Sequence, residues 1–363
     1  MANVSMKDVA RAAGVSQPAV SYAYSRPSKL SEAQRKHILE VAEKLGYPGP
    51  NIMGRSLRSG KVGAIGLMMM DKLSVAFADP SAIAVLRGVS EIGELENIAL
   101  TLFPLNTKRL IRGGKSDTET SLALRGLVDG LIISTLPDDH PAIVAIQKQN
   151  LPYVVIDSPL LEGSYFVGID DRSAAMAQIQ HVLDLGHRKI GILVDRLNPD
   201  GERGAVSAQR FAHSSERIVR ERLTGYVEAA AAAGLSFDDL AIVEAGGLDS
   251  TSGEAAAFTL LTSNEVTAVV ACSDVMAIAC MKTASALQRE VPSSLSVVGF
   301  DDIPEAVQYG LTTIAQPMVQ KAVTAAQLLI EQLNGGPDFV PAPVQKIFPT
   351  KLIVRQSTAR LAE

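Results

Sequence analysis

Tryptophan is absent, aromatic residues amount to 4%, and only two cysteines occur, Cys272 and Cys280. With so few aromatics, buried cores must be built from Ala, Val, Ile and Leu. Two cysteines give neither a disulfide framework nor a metal-ligand cluster, which suits a reducing compartment. No stretch reaches the ~18 to 20 uninterrupted apolar residues that span a bilayer. The amino terminus, MANVSMKDVARAAG, carries charge too early for a secretory signal. The expected setting is therefore cytoplasmic, without a membrane partner. Catalytic signatures are missing too. The five histidines show no H-E-x-x-H spacing, no G-x-S-x-G elbow occurs, and no G-x-G-x-x-G follows the first apolar run. Gly113-Gly114-Lys115-Ser116 ends like a phosphate-binding loop, but Arg109 occupies the place of the required earlier Gly. No enzyme, metal or cofactor is expected.

What is present is an uneven chain. Hydrophobic residues make up 47% and charged residues 20%, enough apolar surface for large cores. The net charge is −5 over 363 residues, yet residues 1–61 hold ten Lys or Arg against four acids. That is +6 on the front segment and −11 on the remainder. A compact basic segment on an acidic body is the electrostatic footprint of a phosphate-binding module.

The pattern inside that segment is helical. Ser5 with Asp8 can cap a first helix, and Met6, Val9, Ala10 and Ala13 recur at helical spacing. Gly14 suits a left-handed turn, Ser16 caps a second helix, and Pro18 sits in its first turn where a missing N–H costs nothing. Arg26-Pro27 stops that helix. Ser31 with Gln34 caps a third, carried by Ile38, Leu39, Ala42 and Leu45 to Gly46. Two short helices joined around Gly14 match a helix-turn-helix, whose second helix lies in the DNA major groove. From Val62 onward, strand-like runs (64–69, 98–103, 130–134, 153–156, 190–194, 268–271, 296–300) alternate with helical ones (172–185, 220–233, 274–288, 318–333). Such alternation argues for parallel sheets covered by helices. About 300 residues exceed one such sheet, so two lobes with a ligand cleft are expected.

The run from MKDVARAAGVSQPAVSYAY to NIMGRSLRSGK resembles the amino terminus of the LacI/GalR family of transcription regulators. VDGLIIS, PYVVID, VGIDD, LGHRKIGIL, RLTGY, ACSDVMAIA, LSVVGFDDIP and LTTIAQP continue the likeness in order through the body. The resemblance implies a small all-α helix-turn-helix head (1–48), a hinge helix (49–61) and an α/β, two-lobed, periplasmic-binding-protein-like domain (62–363). By that analogy one lobe is about 62–162 plus 317–342, and the other 163–316 plus 343–363. It further implies a sequence-specific DNA-binding regulator, commonly a repressor, acting as a homodimer on double-stranded DNA with a pseudo-palindromic operator. A small effector, a sugar or related metabolite, would bind between the lobes.

Residue by residue, Gln17, Pro18 and Tyr22 fall where the family touches base edges. Gln can bond adenine twice, whereas Pro18 offers apolar contact only. The family's usual Thr and Arg are replaced by Ala19 and Tyr22, so operator preference should differ. Ser5, Ser16, Ser21 and Ser31 are expected phosphate contacts. In the hinge, Asn51, Arg55, Leu57 and Arg58 match the paired segment, with Leu57 as minor-groove wedge. Gly54 replaces the usual Ala and should weaken that helix by up to about 1 kcal/mol. Arg222 and Asp274 match the regular effector positions, and Asp71, Asp157, Asp301 and Gln316 match frequent ones. Asp274 also begins a helix, so capping is a rival role. Residues 198–215 form a longer polar insertion than the family carries, either a flap over the effector mouth or a disordered loop. LMMMDKLSVAFADP replaces the common N-P-F-F-type run. A solute-binding protein for transport would explain the body but leaves the basic head without a use.

Overall fold

The computed structural model describes residues 4–25, 27–49, 62–70, 73–96, 98–105, 127–335 and 342–361. The chain divides into Met1–Gly63 and Ala64–Glu363. In the first unit, helices α1 (Met6–Ala13), α2 (Gln17–Ser25) and α3 (Glu32–Lys44) enclose Val9, Val20, Ala23, Ile38 and Ala42. The local signals act as the residues dictate. Ser5 and Asp8 form a capping box, and Gly14 ends α1 at φ +65°. The Ser16 hydroxyl accepts from Ala19 N at 3.3 Å and that of Ser31 from Gln34 N at 3.2 Å. Tyr24 and Tyr47 meet edge to face at 6.2 Å.

The second unit holds two sheets. The first runs in the order β12-β5-β4-β3-β1-β2, with β1 Ala64–Met70, β2 Ala99–Leu105, β3 Gly130–Ser134, β4 Tyr153–Ile156, β5 Tyr165–Ile169 and β12 Gln345–Phe348. All its pairings are parallel. The second runs β13-β11-β10-β9-β6-β8-β7, with β6 Ile190–Val194, β7 Gly204–Ala205, β8 Ala241–Glu244, β9 Ala268–Ala271, β10 Ser296–Asp301, β11 Thr312–Ala315 and β13 Lys351–Ile353. Only its two edge strands, β13 and β7, pair antiparallel. Strands β1, β3, β5, β6, β9 and β10 are buried at every position, as parallel strands between helical layers must be.

Helices α4 (Leu73–Ala76), α5 (Pro80–Glu96), α6 (Pro141–Lys148) and α13 (Met318–Asn334) go with the first sheet. Helices α7 (Asp171–Asp184), α8 (Ala208–Ala212), α9 (Arg217–Ala232), α10 (Ser250–Ser263), α11 (Asp274–Ala286) and α12 (Pro304–Gln308) go with the second. Residues such as Val89, Ile132, Val154 and Leu329 fill one core. The second sheet separates a core around Tyr226 and Leu223 from one around Leu260 and Met276. The small cluster of Ile169, Ala174, Phe300 and Ile314 lies where the chain passes between sheets.

The passages between lobes fall at 170, at 316–317 and at 349–350, not at 162–163 and 342–343 as expected for the first and third. Strand β5 pairs with β4 (Val154 opposite Tyr165), and β12 pairs with β5 (Gln345 opposite Phe166), so both belong to the first sheet. Only eight residues join β4 to β5, without the helix that usually links parallel neighbours, and this gap reads in sequence as a change of lobe.

Candidate DNA-reading helix and inter-lobe site

On the head, Gln17 and Pro18 are exposed on the first turn of α2, and Tyr22, 37% exposed, follows one turn later. Ser5, Ser16 and Ser31 are exposed and Ser21 half-buried. Ser16 and Ser31 accept from backbone N–H groups, which leaves their own hydroxyl protons for an acceptor such as phosphate. Ser5 differs, because its hydroxyl donates to Asp8 at 2.6 Å. Asn51, Arg55, Leu57 and Arg58 of the hinge, and Asp71 of the body, lie outside the described residues.

In the body, the ends of several strands bring together groups far apart in sequence. Asp157 follows β4 with φ +63° and receives Lys321 of α13 on both carboxylate oxygens, at 2.8 and 2.6 Å. Lys321 is fully buried and spends its third donor on Gln316 Oε1 at 2.6 Å. The Gln316 amide then donates to Asp301 at the end of β10, 2.5 Å away. Asp301 also accepts from Ser81 of the first lobe at 3.3 Å and lies 3.8 Å from Arg222. Arg222, projecting from α9, donates to Asp171 at 2.8 Å and to the Cys272 carbonyl, and its guanidinium stacks 3.5 Å over the Phe300 ring. The result is a buried ionic chain, Asp157–Lys321–Gln316–Asp301–Arg222–Asp171, that takes members from both lobes.

Burial and repulsion set its protonation. Burial pushes the Asp301 carboxyl up to about 7, against the pull of Arg222 and Gln316; Asp79 and Asp195 repel it further. Burial likewise raises Asp171, opposed by Arg222. Asp195, which accepts from Cys272 Sγ and Ser273 Oγ at 3.0 Å each, is raised by burial, and so is Asp79. Burial works against the Arg222 charge, but Asp171 and Asp301 hold it protonated, above its ordinary value.

Asp157, Arg222, Asp301 and Gln316 thus meet in one largely buried network, and Asp274 lies beside Asp301 with bonds of its own. It is fully buried, accepting from Thr313 Oγ1 at 2.6 Å and Ile303 N at 2.9 Å. Burial and the nearby Asp301 raise it to about 8. Ser273, not Asp274, caps α11, by accepting from Met276 N. In this structure Asp274 is a brace for the 301–303 turn rather than an exposed contact or a cap. Lys321 and Asp171 were invisible as partners, since nothing local ties Lys321 to a residue 164 positions earlier. Asp195 had only its place at a strand end as a signal.

Residues 198–215 carry regular structure, with β7 and α8 inside them. Strand β7 pairs with β8. Arg210 grips Asp200 through Nη1 and Nη2 (2.5 and 2.9 Å) and buried Glu244 through Nε and Nη2 (3.0 and 2.9 Å). The end of this segment then reaches the first lobe. Asp138 N donates to Ser215 O at 3.1 Å, and Arg220 Nη2 donates to the Asp138 carboxylate at 2.7 Å. This is a second tie between lobes, apart from the ionic chain.

A helix-turn-helix head on a two-lobed α/β binding body is the build of a DNA-binding regulator. Residues 5–51 match the model of bacterial regulatory proteins of the lacI family, and residues 179–358 that of a periplasmic binding protein-like domain. The HTH-type transcriptional regulator Rv3575c of Mycobacterium tuberculosis is 37% identical over 341 residues, covering 93% of this chain and 92% of that one. A LacI-family transcriptional regulator from Corynebacterium glutamicum superposes with TM-score 0.73 at 28% identity, over 98% of each chain. The transcriptional regulator CelR in complex with cellobiose superposes with TM-score 0.68 at 26% identity, over 98% and 99%. The chain belongs to the lacI family of bacterial transcription regulators, and the transport-protein alternative falls with that assignment. No helix among the described residues is long and apolar enough to cross a membrane.

Proposed function

We propose that this chain is a repressor whose hold on a pseudo-palindromic operator is set by a small, hydroxyl-rich effector bound between its lobes. It works as a cytoplasmic homodimer and catalyses no reaction. The observation that carries the reading is the ionic chain from Asp157 to Asp171, because its links join the two lobes through Gln316 and Asp301. A ligand that competes for these groups changes the tie between lobes. Five carboxylates (Asp79, Asp157, Asp171, Asp195, Asp301) surround two cations, Lys321 and Arg222, that are already paired. Such a lining favours donating hydroxyls over phosphate esters. The cellobiose held by the structural relative CelR supports a sugar-like class.

On DNA, Gln17 reads an adenine edge, Pro18 and Tyr22 add apolar and ring contact, and Ser16, Ser21 and Ser31 hold phosphates, whereas both donors of Ser5 go to Asp8. Asn51, Arg55, Leu57 and Arg58 act at the operator centre, Leu57 as the wedge. The effector acts by shifting populations of lobe arrangements, and a coupling of about 1–3 kcal/mol would alter operator affinity ~5- to 150-fold. The test is a thermal-shift screen of sugars, nucleosides and phosphorylated metabolites, followed by operator titration with each hit. A ligand that stabilises the body while leaving operator affinity unchanged sinks effector control. Absence of any preference for a palindromic site over random duplex at modest salt sinks the whole reading.

A further inference from the structure

We propose that the seam between the two lobes is a proton-operated latch, in which closing the lobes binds a proton among Asp79, Asp195 and Asp301 and opening them releases it. The first lobe brings the turn between α4 and α5 to this seam. Ser81 of that turn donates its hydroxyl to Asp301 Oδ2 of the second lobe at 3.3 Å. Two residues earlier, Asp79 accepts from Ser81 N at 2.9 Å. Asp195, just past β6 in the second lobe, repels both Asp79 and Asp301, and Asp79 repels Asp301. Carboxylates from opposite lobes are thus packed together, and like charges so placed oppose closure unless one of them is neutralised.

The other charges around the seam leave this acid excess in place. Lys321 of α13 gives two bonds to Asp157, and Arg222 of α9 bonds Asp171 of α7 at 2.8 Å. Arg355 bonds Asp302 at 2.7 Å, and Arg196 bonds Glu216 at 2.7 Å. Arg87 of α5, paired with Glu91 at 3.5 Å, and Glu305 of α12 line the same cavity as Asp301. Asp274 of α11 adds a further carboxyl beside Asp301, with its own bonds from Thr313 and Ile303. Arg222, 3.8 Å from Asp301, is already committed to Asp171, and the side-chain donors to Asp195 are the neutral Cys272 and Ser273. Burial accordingly raises all three carboxyls, Asp301 to about 7. With the lobes apart, water replaces the packed neighbours and each group returns towards 3.8. The raised value belongs to the closed form, so closure takes up a proton. It is most favoured below about pH 3.8, weakens by up to about tenfold per pH unit from there to about 7, and is level above.

The test is the inter-lobe distance in the full-length protein, measured by double electron–electron resonance from about pH 5 to about pH 8.5. Nitroxide labels go on Val144→Cys of α6 and Phe258→Cys of α10, exposed positions on opposite lobes, while Cys272 and Cys280 are buried. Diluting labelled chains with unlabelled ones keeps both spins within one protomer. The ratio of short to long distances should fall about tenfold or more between about pH 5 and 7 and then stay level. Asp301→Asn, which keeps the shape and removes the titration, should flatten most of that fall, and Asp79→Asn should raise the short-distance share above about pH 7. Asp138→Ala, which cuts the other tie between lobes, should lower the ratio by the same factor at every pH. The proposal is overturned if the ratio is constant with pH in both wild type and Asp138→Ala, or if Asp301→Asn keeps the wild-type fall. No effector or DNA is added, so a negative result leaves the effector reading standing.

Discussion

Replacing Lys321 by Met removes one ammonium and keeps the length of the side chain. In the native protein that ammonium is fully buried and makes three bonds, two to Asp157 (2.8 and 2.6 Å) and one to Gln316 (2.6 Å). An ammonium has three donors, so none is left over. After the substitution the Asp157 carboxylate, 8% exposed, keeps its burial and loses its counter-charge. Breaking a buried pair from one side costs about 3–5 kcal/mol. At roughly 2–4 °C per kcal/mol for a domain of this size, the melting temperature should fall on the order of 10 °C. Urea unfolding followed by circular dichroism, at fixed protomer concentration because association adds apparent stability, measures the loss. Adding Asp157→Asn to Lys321→Met should recover part of it, since the uncompensated charge is then gone. A single-variant loss below about 1 kcal/mol, the range of exposed ion pairs, would refute the buried-chain reasoning. So would a double variant no more stable than Lys321→Met alone.

Gln17→Ala should cost about 1–3 kcal/mol of operator affinity at one base pair while leaving the salt dependence unchanged, which titrations at several salt concentrations would show. A uniform loss across all sequences would make Gln17 a phosphate contact instead. Asp274 and Asp301, raised from 3.8 to about 8 and about 7, bind protons more readily folded than unfolded. Their contribution to stability is therefore full below about pH 3.8, erodes as pH climbs from there, and is gone above about 7 to 8. The urea midpoint should fall over that window, and Asp274→Asn should flatten the slope. Asp138→Ala cuts the partly exposed pair with Arg220 and should cost no more than about 1 kcal/mol of stability. It should nonetheless speed effector release in stopped-flow measurements, because the tie between lobes at Ser215 and Arg220 loses its ionic half.

Much of the head is written locally. Ser5, Gly14, Ser16, Ser31 and Gly46 each act within a few residues of themselves, so caps and turns can be read from neighbours alone. The buried strands and amphipathic helices of the body are equally local, since apolar runs and helical spacing depend on one segment at a time. The motifs around Asp157, Arg222, Asp301 and Gln316 mark each as polar beside a strand or helix end, and their bonds to one another are what the packing adds.

Partnership is a different matter. Which lobe owns β5 and β12 depended on strand pairing, because an eight-residue link without a helix carries no mark of the sheet it returns to. Lys321 meets Asp157 across 164 positions, and Asp274 turns inward to Thr313 and Ile303. Arg210 joins parts of an insertion whose polar composition alone suggests a loop. Local sequence sets how each segment folds and where its charges stand along it. Only the packed sheets bring those charges to within 3 Å or so of each other, where low dielectric makes the choice of partner decisive.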